Sequence, residues 1–204
     1  MSKALIIIDM QNEFCISRDQ TIKACYTHII PPINKMVSTF RENGDYIIWL
    51  NWGISKNLHN TLSIERESFN QFEYPDSMSW KRTLNKSMKV LEEGSWSSQI
   101  ISQLNTVPSD IFLSKQTADG FKTSKARELI EKLKVEDLYF SGVNTDQCVE
   151  STLRSANRIG YNSFLVKDST ATISENRFEE SINRLSKIRE GILINSIDVL
   201  KSLQ

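Results

Sequence analysis

Three side chains in this sequence can do chemistry together: the carboxylate of Asp9, the ammonium of Lys115 and the thiol of Cys148. Each stands at or just beyond the end of a short apolar run. The runs are Ala4 to Ile8, Ile111 to Ser114 and Leu138 to Ser141, the last reaching the cysteine through Gly142-Val143-Asn144-Thr145-Asp146-Gln147. A thiol attacks as its thiolate, so a nucleophilic cysteine needs a base to take its proton and a cation to favour the anion. One of each is present. Taken singly, the three have plainer readings: Asp9 as a helix or turn cap, Lys115 as a strand-end charge, and Cys148 as a small buried apolar residue, the commonest fate of a free cysteine.

The surroundings of Cys148 favour the chemical reading. Val149, Leu153, Ala156 and Ile159 recur on one helical face up to Gly160, which predicts a helix over 146–159 with Cys148 in its first turn and Thr145 as its cap. Unpaired N–H groups and partial positive charge at such a terminus lower a thiol pKa and can hold an oxyanion. The arrangement is a strand-turn-helix elbow, although the G-x-S-x-G pattern is absent.

The elements that must position these groups follow from the rest of the pattern. Further apolar runs at Tyr46 to Leu50, Ser163 to Val166 and Gly191 to Ile194 are, like the first three, continuous rather than alternating, as in strands covered on both faces. Helix-like segments at 30–41, 97–104, 124–133 and 175–189 join 146–159 in the gaps. The alternation predicts an α/β fold of three layers, α/β/α, with right-handed crossovers. Gly44, Gly160 and Gly191 each follow a helical segment and precede a strand, where a left-handed stop is expected. In an open parallel sheet, ligands bind outside the carboxyl ends of the strands, where Asp9, Lys115 and Cys148 fall.

A chain of 204 residues predicts one domain over 1–204, interrupted by an excursion at 55–95 that is far longer than an ordinary connection. Its aromatics Phe69, Phe72, Tyr74 and Trp80 fit a lid over the strand ends or, equally, a peripheral subdomain or oligomer contact; Lys81, Arg82, Lys86 and Lys89 fit a solvated face. With 25 basic and 25 acidic residues, no net field draws the chain to nucleic acid or to a membrane. Three cysteines without metal-finger or C-x-x-C spacing fit reduced thiols and a cytoplasmic location. No G-x-G-x-x-G or P-loop occurs, which removes the dinucleotide-binding reading.

Three ordered segments carry a resemblance: Ala4 to Phe14 (ALIIIDMQNEF), Lys115 with Phe121 six positions on, and Ser141 to Val149 (SGVNTDQCV). Together they resemble the isochorismatase-like hydrolase superfamily, which includes nicotinamidases and N-carbamoyl amino-acid amidohydrolases. The likeness extends to Gly160-Tyr161 and Val166 to Ala171. The resemblance implies a Rossmann-like sheet of six mainly parallel strands in the order 3-2-1-4-5-6. It implies Asp9 as general base, Lys115 as catalytic lysine and Cys148 as nucleophile. A cis peptide before Asn144 is implied too, with the backbone N–H groups of Asn144 and Cys148 as the oxyanion hole, and so is a homo-oligomer, dimer or tetramer. Gln11 and Phe14 in the first segment are candidate substrate contacts. Trp52, Trp96 and Phe121 are further candidates, since aromatic walls suit a small planar substrate, although each fits ordinary core as well.

Metal-dependent nicotinamidases of that superfamily carry Asp-x-His after the second strand. Here the sequence reads Leu50-Asn51-Trp52-Gly53-Ile54, and the only histidines are His28 and His59. No metal and no cofactor are therefore expected. Three readings stay open: a cysteine amidohydrolase of a small amide or carbamoyl compound, hydrolysis of the isochorismate vinyl ether, and an idle binding or scaffold protein of the same fold.

Overall fold

The computed structural model describes residues 2–17, 19–54, 91–122 and 124–203. Phe69, Phe72, Tyr74, Trp80, His59 and the basic cluster at 81–89 lie outside the described residues. In chain order the elements are β1 (Ser2–Ile8), α1 (Asn12–Cys15), α2 (Ala24–Thr27), α3 (Ile30–Glu42), β2 (Tyr46–Trp52), β3 (Ile111–Lys115), α4 (Ser124–Leu133), β4 (Val135–Val143), α5 (Glu150–Arg158), β5 (Asn162–Ala171), α6 (Glu175–Ile188), β6 (Ile192–Ile194) and α7 (Ser196–Lys201). The strands form one sheet in the order β3-β2-β1-β4-β5-β6, each neighbouring pair parallel.

The continuous apolar runs follow from this layering. Successive strand residues face opposite sides, so Leu5, Ile7, Ile47 and Trp49 pack with Ile33, Val37 and Val199 on one face. Ala4, Ile6, Ile8, Ile48 and Leu50 pack with Ile130, Leu153 and Leu185 on the other. Residues 4–8 are wholly buried, which gives the groups beyond the end of β1 a rigid base.

Two local expectations are corrected. The segment 97–104 is not a helix: only Trp96–Ser98 form one turn of 3₁₀ helix. Its backbone bonds elsewhere, Asn12 N–H to Gln99 O (2.9 Å) and Ile101 N–H to Met10 O (3.0 Å), so 99–101 runs beside the residues that follow Asp9. Ile101 and Leu104 are buried all the same, which is why their spacing imitated a helical face. The left-handed residue ending α6 is Arg189 (φ 54°), while Gly191 turns the chain two residues later (φ 116°).

Gly142 fixes how closely β4 approaches β1. It pairs with Ile8 across the sheet, has φ 102°, and a Cβ there would lie 2.1 Å from the Ile8 carbonyl oxygen. Backbone, not a movable side chain, blocks that space. Gly142→Ala is expected to destabilise the fold by about 2–4 kcal/mol, visible in thermal unfolding as a fall of roughly 5–15 °C; an unchanged melting temperature would show that the strands can separate freely.

Candidate active site

Asp9 is the first residue past β1, Lys115 the last of β3, and Trp52, its register partner on the intervening β2, the last of that strand. Lys115 stands two strands from β1, about 9–10 Å by strand spacing, and its stem spans the gap. The Lys115 Nζ lies 2.9 Å from Asp9 Oδ2, with both side chains buried. On the way the ammonium passes over the Trp52 indole, 4.3 Å from the ring centroid, and it donates to Thr117 O at 3.2 Å. From the other side of β1, the Cys148 thiol hydrogen-bonds to the Asp9 carboxylate. The carboxylate thus sits between the ammonium and the thiol. Asp9 itself has φ 53°, a left-handed conformation that Asp tolerates better than most residues; it turns the chain, and the side chain with it, away from the line of β1.

Burial dominates the electrostatics. It raises the Asp9 carboxyl above the usual carboxylate range, against the pull of the Lys115 ammonium, because a charged carboxylate loses water there. Burial likewise pushes the Cys148 thiol up to about 12, opposed by Lys115 and reinforced by the negative charge of Asp9. This corrects the expectation of a lowered thiol pKa: burial keeps the proton on sulfur, and the same burial makes the neighbouring Asp9 carboxylate more basic.

The turn carrying Cys148 also differs from the expected helix start. Residues Thr145–Val149 form one π-helical turn, and α5 begins only at Glu150. Thr145 is not the cap. Its hydroxyl is buried without a partner, and the capping position is Asn144, whose side chain makes no capping bond. That side chain is committed elsewhere: the Tyr26 hydroxyl, buried on α2, donates to Asn144 Oδ1 at 2.6 Å. The Val143–Asn144 peptide is cis. Farther round the turn, the Thr152 hydroxyl donates to Cys148 O (2.6 Å) and accepts from Gly120 N–H (3.1 Å), tying the Cys148 turn to the loop that follows Lys115. Thr152 could have been suspected from its place one helical turn after Cys148. Nothing local in the sequence marks Tyr26, 118 positions from the asparagine it holds.

The remaining candidates are placed as follows. Gln11 is wholly buried; its amide donates to Trp52 O and Ser98 O, both at 2.8 Å, and its Oε1 accepts from Trp52 N–H at 2.9 Å. Every polar atom it has is used within the protein. Phe121 is buried against the apolar cluster that includes Cys148 and packs on Tyr161 at 6.0 Å. Phe14 rests against the opposite core. Trp96 is half-exposed, and its carbonyl accepts from Asn12 Nδ2 at 2.9 Å. Among the described residues, no three or more His, Cys, Asp or Glu side chains gather where they could hold a metal ion, and no helix is long and apolar enough to cross a membrane.

Comparison with known proteins gives a consistent picture. A family model described as the isochorismatase domain matches residues 3–196. The ureidoacrylate amidohydrolase RutB of Cronobacter turicensis is 27% identical over 172 residues, 82% of this chain and 73% of that protein. Among solved structures, an isochorismatase family protein from Desulfovibrio vulgaris superposes with a TM-score of 0.81 at 18% identity, covering 99% of this chain and 98% of that one. The N-carbamoylsarcosine amidase of Thermoplasma acidophilum superposes with a TM-score of 0.70 at 21% identity, covering 96% and 97%. At these identities the two structures speak for the fold.

Proposed function

Since the chain belongs to the isochorismatase domain family, we propose that it is a cysteine hydrolase that cleaves a C–N bond of a small amide or carbamoyl compound through a thioester on Cys148. The observation that carries the reading is the Asp9 carboxylate held between the Lys115 ammonium at 2.9 Å and the Cys148 thiol. The amide-cleaving activity in the name of the RutB relative supports it.

In this mechanism Asp9 takes the proton from Cys148 as sulfur bonds to the substrate carbonyl carbon, and the carbonyl π electrons move onto oxygen. The backbone N–H groups of Asn144 and Cys148 hold that oxyanion, each donor worth roughly 3–4 kcal/mol of barrier. The intermediate collapses as the C–N bond breaks, and Asp9 returns its proton to the leaving nitrogen. A water then gives its proton to Asp9 and attacks the thioester; the thiolate leaves and recovers the proton. Lys115 keeps a positive charge beside the carboxylate throughout, so Asp9 can cycle between base and acid without leaving an unpaired buried anion.

The test is a panel of small primary amides and N-carbamoyl compounds with isochorismate alongside, each reaction read for ammonia and for pyruvate. Ammonia release with a substoichiometric acyl adduct on the Cys148 peptide is the expected result. Pyruvate release from isochorismate alone would assign vinyl-ether hydrolysis instead, and no product from any member would leave a binding protein of this fold.

A further inference from the structure

Trp52 is held at both of its backbone groups. Its N–H donates to Gln11 Oε1 (2.9 Å) and to Asp9 Oδ1 (3.2 Å), and its carbonyl accepts from Gln11 Nε2 (2.8 Å). Gln11 is anchored in turn on Ser98 O, so the last residue of β2 has little freedom to move. Its indole lies beneath the Lys115 ammonium, 4.3 Å from the ring centroid, and its side chain hydrogen-bonds to Cys148. The only hydrogen-bonding group on an indole is the Nε1–H, a donor, so the bond runs from nitrogen to sulfur.

This geometry uses both parts of the aromatic quadrupole. The negative face meets the cation, and the positive N–H edge meets the sulfur. While Cys148 is a thiol, its sulfur is a weak acceptor and the bond contributes little. As the proton passes to Asp9 the sulfur becomes an anion, and the same bond becomes charge-assisted. An interaction that strengthens along the reaction coordinate accelerates the step, whereas one of constant strength does not.

Building on the hydrolase reading above, we propose that Trp52 is a fourth catalytic group, whose indole N–H steadies the Cys148 thiolate as the proton moves to Asp9 while its ring face supports the Lys115 ammonium. It explains why a wholly buried glutamine is spent on one tryptophan's backbone: a donor at the edge of a ring works only if the ring cannot turn.

The deciding readout, alkylation, needs no substrate. Trp52→Phe keeps a ring and removes the N–H; replacement of Trp52 by benzothienylalanine keeps the shape and the bicyclic face and removes only the N–H. Iodoacetamide alkylation of Cys148, followed at pH 8 on its own peptide by mass spectrometry, is expected to slow about 3–10-fold in both. That corresponds to an upward thiol shift of roughly one to two pH units, partly offset by the greater intrinsic nucleophilicity of the more basic sulfur. In turnover, kcat is expected to fall about 10–100-fold with KM unchanged. Wild-type alkylation by the benzothienylalanine protein, with circular dichroism confirming its fold, overturns the proposal whatever Trp52→Phe does, since packing alone would then account for the residue. Because alkylation reports on the thiolate directly, this result is separate from the hydrolase reading, which fails on the substrate panel instead.

Discussion

Cys148→Ala is expected to lower kcat/KM by about 10⁴-fold or more and to leave the melting temperature within a few degrees of the parent. The size of the loss follows from removing the attacking atom, after which only binding and oxyanion stabilisation remain to act on substrate. The small structural effect follows from what surrounds it. Cys148 sits in an apolar cluster with Val149, Leu153 and Ile8, and loss of one sulfur from such a site costs roughly 1 kcal/mol, or about 2–4 °C in a chain of this size. Asp9 keeps its ion pair with Lys115, so no charge is stranded. Ammonia release and thermal unfolding measured on the same preparation check both halves; turnover that survives the substitution removes Cys148 from the chemistry.

Lys115→Met is expected to harm the fold as well as the reaction. The ammonium is the counter-charge for a carboxylate with almost no exposure, and removing one partner of a buried pair costs about 3–5 kcal/mol. The pH dependence carries the signature. The Asp9 carboxyl already titrates above the ordinary 3.8, with burial raising it and Lys115 the largest opposing influence, so without the lysine it rises further. A carboxyl with a raised folded-state pKa contributes stability that is fully present below the unfolded value and is lost as pH rises through the folded one. The variant is therefore least stable, relative to the parent, at neutral and higher pH, and recovers toward acid. Activity is expected to have the reverse dependence, because in the proposed mechanism Asp9 accepts a proton only as the carboxylate. In the parent, kcat/KM is expected to fall on an acid limb lying above the usual carboxylate range, and in Lys115→Met that limb is expected to move to higher pH while the plateau drops. Denaturant unfolding across pH and a kcat/KM profile test the two halves; a stability deficit that is flat with pH would mean that Lys115 does not compensate Asp9.

The two predictions divide the site in a useful way. In the proposed mechanism Asp9 and Lys115 are structural and chemical at once, since the same ion pair that makes a buried carboxylate tolerable opposes the rise in its basicity. Cys148 is placed by the elements around it, through Thr152 on its carbonyl and Tyr26 on its neighbour Asn144, and gives little back to them. Tyr26 reaches the site from α2, a four-residue helix.

Much of this was legible in the amino-acid order. Continuous runs of Ile, Leu and Val can be buried on both faces only in a covered sheet, so 4–8, 46–50 and 138–141 read as strands, and the residues after them fall at one edge because parallel strands end on the same side. Asp9, Lys115 and Cys148 were identifiable on that ground, whereas the close passage that Gly142 permits between β1 and β4 emerged only from their pairing. Local periodicity was blind to backbone partners. It took 97–104 for a helix because Ile101 and Leu104 are buried, although the amide of Ile101 bonds to Met10 rather than within its own segment. It also made Thr145 a cap where the hydroxyl is buried and unused. Trp52 could be suspected only as a wall; its indole is brought under the Lys115 ammonium by the order β3-β2-β1, which no single stretch of sequence encodes.

The sequence by itself therefore determined which groups were available and that the strand ends would carry them, because side-chain alternation and apolar patterning are local properties. The tertiary structure alone decided their charge states and partners: a carboxyl made more basic, a thiol held protonated, and a tryptophan side chain bonded to sulfur. The reason is physical. Desolvation is set by everything that surrounds a group, and the atoms that exclude water from Asp9 and Cys148 come from all along the chain.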